Sequence, residues 1–150
     1  MRAVIQRVKR ATVKTDTGIS SSIGEGLLIL LGVEHEDDEK DVSWLAKKVS
    51  SLRIFDDKEG VMNLDVCQAG GELMVISQFT LHARTRKGNR PSYIRAAPPE
   101  RSVPLYELFI SSIGYETGKD VKTGDFGARM DVELINSGPV TIIIDTKNRE

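Results

Sequence analysis

The chain changes its hydrophobic period several times. Residues 3–13 and 26–33 are rich in β-branched and aliphatic side chains without helical spacing, which predicts two strands. The turn formers Asp16-Thr17-Gly18 and Gly24-Glu25-Gly26 lie between them, so a hairpin opens the fold. Val42, Leu45, Ala46, Val49 and Leu52 then recur at i, i+3, i+4, i+7 and i+10, one apolar stripe on an amphipathic helix. Arg53-Ile54-Phe55, a turn over 56–60 and Met62-Asn63-Leu64 form a short hairpin before Gly70-Gly71. Residues 72–81 read as a third strand region that ends in polar side chains. Val103, Leu105, Leu108, Phe109 and Ile113 predict a second helix over 100–113, with Gly114 and Gly118 as stop signals. Met130, Val132 and Leu134 alternate with Asp131, Glu133 and Ile135 as a half-buried strand; Asn136-Ser137-Gly138-Pro139 interrupts it before an apolar strand over 140–144. The tail, 147–150, is expected to fray.

Strands arriving in hairpins and two isolated helices imply an α+β fold. The expectation is a single domain over 1–150, with a largely antiparallel, barrel-like β-sheet and two amphipathic helices. A domain of 150 residues buries roughly 68–70% of its unfolded surface, enough for a core without covalent staples. The longest apolar run, 27–31 with Val33 close by, is far shorter than the roughly 20 residues of a membrane span. The opening MRAVIQR mixes charge with apolar residues where an export signal needs an unbroken apolar stretch, so a cytoplasmic location is expected. A single cysteine, Cys67, excludes an internal disulfide and any multi-cysteine zinc site.

Net charge is −1, which excludes binding of nucleic acid through bulk positive charge. The distribution matters more. Residues 73–99 contain no acidic side chain but hold Arg84, Arg86, Lys87, Arg90 and Arg95. With Gly88, Pro91, Pro98 and Pro99 in the same stretch, 82–99 reads as a binding loop. The acidic stretch 34–41 reads instead as the solvated start of the first helix.

Little in the residue chemistry points to a metal or a cofactor. The two histidines, His35 and His82, are far apart, and the glycine pair Gly70-Gly71 precedes a strand where a phosphate-binding motif would precede a helix. In an extended segment Thr80 and His82 would share a face, permitting a Thr-His pair, although a loop histidine is the simpler reading. Ser77, Gln78, Phe79 and Thr80 could offer an ester hydroxyls, an amide and backbone N–H groups, or they could be a strand running out into a loop. Gly138-Pro139 is either an ordinary turn or a device for close backbone approach.

SQFTL at 77–81 and NSGPVT at 136–141 resemble the two signature motifs of the D-aminoacyl-tRNA deacylase family. MRAVIQRV, LRIF at 52–55, MNL at 62–64 and TRKGNRPSY at 85–93 extend the likeness over nearly the whole chain up to Asp145. The resemblance implies an enzyme without cofactor that hydrolyses the ester of D-aminoacyl-tRNA, and of glycyl-tRNA mischarged on tRNA-Ala. It implies a homodimer in which each site receives Gly138-Pro139, joined by a cis bond, from the partner subunit. An L-side chain would collide with that backbone while a D-side chain points away, so chirality is read by rejection. Ser77, Gln78, Phe79 and Thr80 would surround the terminal adenosine and the ester, with Phe79 and Phe126 near the adenosine and Arg7 and Met130 near the pocket. Thr80 acts either as a nucleophile or as a positioning group beside a substrate-assisted reaction, in which the 2′-hydroxyl of the ribose helps activate water. Phe79 and Gly138 agree with the D-specific branch rather than with its relaxed relative, which edits L-alanine on threonine tRNA. The competing readings are a non-catalytic tRNA-binding module using the basic loop, and a small esterase using Thr80 and His82.

Overall fold

The structure is a computed structural model, and residues 1–149 are described. Its main sheet is built around β1 (Arg2–Thr15). One edge of β1 carries β8 (Met130–Asp145) along its length; the other carries β3 (Gly26–Gly32) on the first half and β2 (Ser20–Ile23) on the second, all antiparallel. β3 then pairs with β6 (Glu72–Ser77), and β6 with β7 (Val121–Thr123), both in parallel. Parallel neighbours require a long crossover. The first runs through α1 (Glu39–Ser50) and the hairpin of β4 (Phe55–Asp56) and β5 (Met62–Leu64); the second runs through α2 (Pro99–Thr117). β2 returns against β6 and β7, so the sheet curls toward a nearly closed barrel. The expected α+β class and barrel-like sheet therefore hold, and the two parallel joins are an addition to it.

The burial of β3 explains the first join. Leu27, Ile29 and Leu31 face the helices, while Leu28 faces the barrel interior with Val8, Val13, Met74 and Ile76. A strand apolar on both faces is what a parallel, helix-covered position demands. The helices contribute Val42, Leu45, Ala46 and Val49 from α1, and Leu105, Tyr106, Phe109 and Ile113 from α2, to the larger cluster. Each large side chain buried there stabilises the fold by about 1.5–3 kcal/mol. No helix among the described residues is long and apolar enough to cross a membrane.

Several boundaries move. α2 runs past Gly114 to Thr117 and ends at Gly118, and its buried face takes Ser102 and Tyr106 where Val103 and Leu108 were expected. β2 and the short β7 went unread. The acidic stretch is only partly solvated: Asp38 caps α1 reciprocally with Asp41, while the fully buried Asp37 accepts from the Met1 amine and from Glu34 N. Nor do residues 147–149 fray. Lys147 Nζ donates to Asp41 at 2.7 Å and to Glu36 O at 2.8 Å, and the Arg149 guanidinium lies 4.2 Å from the centroid of the Trp44 ring. Residue 150 lies outside the described residues.

Candidate active site

Strand β6 delivers the SQFTL motif to the end of the barrel. Gln78 N still donates to Leu31 O at 2.8 Å, after which the chain leaves the ladder and tightens into a 3₁₀ turn, Phe79–His82. The expected strand over 72–81 therefore stops at Ser77. Neither Phe79 N nor Thr80 N has an intramolecular acceptor among the described residues, as expected for the first donors of a helical turn. Two backbone N–H groups are thus available where the strand ends.

A cavity of about 470 Å³ opens beside them, within the range of small-ligand sites. Ser77, Gln78 and Phe79 form one wall, and Phe126, Met130 and Val132 contribute to the other. The Phe79 ring is 56% exposed and meets the exposed Tyr93 edge to face, with centroids 5.1 Å apart. Phe126 is set by Tyr106, whose ring lies 5.4 Å away and whose hydroxyl donates to Val75 O at 2.9 Å. Burial pushes the Tyr106 phenol far above its ordinary range, so it is a fixed donor. Thr80 is half-buried and its Oγ1 accepts from Gln78 Nε2.

Sequence reasoning missed Ala96, Ala97, Pro99, Ser102, Gly127 and Ala128, which also line the cavity. Their signal is the lack of bulk in Ala96-Ala97-Pro98-Pro99 and Gly127-Ala128, which leaves space rather than supplying a reactive group. The segment is pinned from behind. Ala97 N donates to Val33 O at 3.0 Å, and Arg95 donates to Glu34 at 2.7 Å.

The Thr80–His82 pair does not form. In a 3₁₀ turn residues two apart point in different directions, so the shared face assumed for an extended strand is lost. His82 is buried against Gly32, where an added Cβ would come within 3.0 Å of its ring, and no hydroxyl bonds either ring nitrogen. Burial, the dominant influence, holds its pKa below the ordinary value.

Arg7, Gly138 and Pro139 lie away from this cavity. Gln6 pairs with Thr141 and Val8 with Asn136, so Ser137, Gly138, Pro139 and Val140 bulge from β8 opposite Arg7 alone. What looked in sequence like a break between two strands is a bulge in one. The Gly138-Pro139 bond is cis, and both residues are exposed. Asn136 closes the bulge, accepting from Val140 N at 2.7 Å and donating to Val140 O at 3.0 Å. The buried Arg7 completes it, donating to Ser137 O at 2.9 Å, to Ile54 O at 2.7 Å and to Asp56 at 3.1 Å. At Gly138, φ is +135°, and an added Cβ would come within 2.8 Å of Val140 Cγ2, so only glycine suits the position.

The family model described as D-Tyr-tRNA(Tyr) deacylase matches residues 4–145. A curated "D-aminoacyl-tRNA deacylase" from Bacteroides thetaiotaomicron is 59% identical over 150 residues, covering 100% of both chains. Among solved structures, the "c-Myc DNA Unwinding Element Binding Protein" superposes with a TM-score of 0.90 at 37% identity, covering 97% of this chain and 98% of that one. A structure titled as a probable eukaryotic D-amino acid tRNA deacylase shares the fold at a TM-score of 0.82 and 14% identity, covering 95% of this chain and 97% of that one. With the family match spanning nearly its whole length and a relative 59% identical from end to end, the chain belongs to the D-Tyr-tRNA(Tyr) deacylase family.

Proposed function

We propose that the chain hydrolyses the ester between a D-amino acid and the 3′ end of tRNA, releasing the free D-amino acid and the tRNA. The observation that carries this reading is the cavity bounded by Ser77, Gln78 and the exposed Phe79 ring, with two unpaired backbone donors at its edge. The Phe79 face suits the terminal adenine. The N–H groups of Phe79 and Thr80 suit the oxyanion that forms as water adds to the ester carbonyl. The bond to the 3′ oxygen then breaks, and that oxygen takes up a proton.

Thr80 positions the substrate in this scheme. Its hydroxyl has no neighbouring base, since His82 is turned away and buried, so the 2′-hydroxyl of the ribose assists the attacking water. Ser77 and Gln78 orient the ester from the same wall.

Chirality is read by the bulge at Gly138 and Pro139 of a partner subunit in a homodimer. The bulge is exposed, held rigid by Arg7 and Asn136, and does not line the cavity beside Ser77, Gln78 and Phe79 of its own chain. Apolar Ile135 and Ile143, 42% and 73% exposed, lie on the same strand and suit burial against a second subunit. An L-side chain would strike the inserted backbone, whereas a D-side chain or glycine would not, so glycyl-tRNA carried on tRNA-Ala is a further substrate. Aminoacyl-tRNA places the reaction in the cytoplasm.

The test is multiple-turnover hydrolysis of D-Tyr-tRNA beside D-tyrosine ethyl ester. Turnover of the tRNA ester alone is expected. Equal turnover of both would indicate a simple esterase, and binding without release would indicate a non-catalytic tRNA-binding module.

A further inference from the structure

Residues 84–92 form a small projecting hairpin. Arg84 N donates to Ser92 O at 2.8 Å and Ser92 N to Arg84 O at 3.0 Å, closing its base, and residues 84–90 are exposed throughout. Its two ends continue into cavity walls: Phe79 lies just before one and Ala96-Ala97 just after the other. The hairpin therefore stands at the rim of the site.

Its charge is unbalanced. Arg2, Arg7, Arg10, Arg95 and Lys147 all pair with carboxylates, but Arg84, Arg86, Lys87 and Arg90 have no acidic partner among the described residues. No acidic residue occurs anywhere from 73 to 99. Four unpaired cations on one short projection, in a chain of net charge −1, form a local field suited to a polyanion. Between this field and the cavity stand the exposed, edge-to-face rings of Phe79 and Tyr93, a surface on which bases stack.

We infer that this hairpin is the docking surface for the RNA body of the substrate, its four cations contacting backbone phosphates next to the esterified 3′ nucleotide. The inference rests on the proposed hydrolysis of aminoacyl-tRNA and adds where the RNA beyond the terminal adenosine lies. Four residues from base to tip reach about 13 Å, on the order of four phosphate steps along one strand of a helix. Contacts of this kind supply affinity without reading sequence.

The test replaces Arg84, Arg86, Lys87 and Arg90 together by Gln and measures kcat/KM on D-Tyr-tRNA and on 3′-D-tyrosyl-adenosine, from 50 to 200 mM salt. Each phosphate contact contributes roughly 0.7–0.9 to the salt exponent, so four make wild-type kcat/KM on tRNA fall about 50- to 150-fold over that range. The variant should lose most of this dependence and at least tenfold in kcat/KM on tRNA at 50 mM, through KM, while its rate on the adenosine ester stays within about twofold. An unchanged salt exponent on tRNA would overturn the inference, and so would a parallel loss on both substrates, which would place the hairpin's effect inside the site. If wild-type protein cleaves the adenosine ester but gains nothing from the RNA body, the hydrolytic reading stands and the docking surface falls. If it cleaves neither, both fall.

Discussion

Replacing Arg7 by Lys tests how the bulge of β8 is held. The guanidinium donates to two main-chain carbonyls, Ser137 O and Ile54 O, and to the Asp56 carboxylate. A lysine ammonium offers a point charge on a flexible stem and cannot span the fork between the two carbonyls. The ion pair itself matters little, because Asp56 is 52% exposed and such pairs contribute about 0–1 kcal/mol. The larger loss comes from the carbonyl bonds, each charge-assisted and worth about 1.5–3 kcal/mol. Allowing lysine to recover part of one, the substitution should cost about 3 kcal/mol, or about 6–12 °C in Tm for a domain of this length. Thermal melts of Arg7→Lys and of Asp56→Asn separate the two contributions, and the ratio of D- to L-Tyr-tRNA hydrolysis reports on the bulge. Arg7→Lys should melt early and lose discrimination, while Asp56→Asn should change Tm by no more than about 4 °C. The reasoning fails if Arg7→Lys melts within 2 °C of wild type with its D/L ratio intact, or if Asp56→Asn is equally damaging.

Three further outcomes follow from the same geometry. Mixing a variant with a filled cavity, Ala96→Phe, and one whose added side chain would project from the bulge and obstruct the partner's site, Gly138→Val, should restore about a quarter of wild-type activity on D-Tyr-tRNA, since half of random dimers carry one intact pairing; activity no greater than that of the separate variants would contradict insertion across the dimer. His82→Leu should keep kcat within about threefold and leave Tm unchanged or higher, because an apolar group replaces a buried ring that no side chain among the described residues hydrogen-bonds. Its lowered pKa means the folded protein resists protonation, so wild type loses stability as pH falls below the unfolded value near 6.5 and His82→Leu should not; a hundredfold loss of kcat would revive a Thr80–His82 dyad. Burial tends to raise the Asp41 pKa, but hydrogen bonds from Lys147, Thr146 and Asp38 outweigh it and bring it to about 2 from 3.8. That contribution is complete above pH 3.8 and is lost as pH falls toward 2; after allowing for screening of the partly exposed Lys147, Asp41→Asn should cost about 1–2 kcal/mol at pH 7 and flatten acid unfolding in that window.

Periodicity made β1, β3, α1 and the β4–β5 hairpin legible because their apolar spacing matches the face they bury. The pairing of β3 with β6 was not legible, since an apolar run such as GLLILLG fits either a parallel or an antiparallel neighbour. β7 is three residues with a lysine at its centre, too short to show a period. Residues 79–82 looked extended because Phe79, Thr80 and Leu81 suit strands, and the tertiary turn overrode that preference. In the cavity, the family resemblance marked Ser77, Gln78, Phe79, Phe126 and Met130, while the small residues that create its volume carried no chemical signal. Arg7 was associated with the pocket by resemblance; in the structure it holds the bulge, through a register shift that no local pattern announces.

The central claim is best tested by measuring release of tyrosine from D-Tyr-tRNA and L-Tyr-tRNA side by side at sub-stoichiometric protein. The account predicts multiple turnovers of the D-ester and at least about a hundredfold slower release of the L-ester, the equivalent of about 3 kcal/mol of steric rejection. Equal rates for the two, or no release of D-tyrosine, would contradict it.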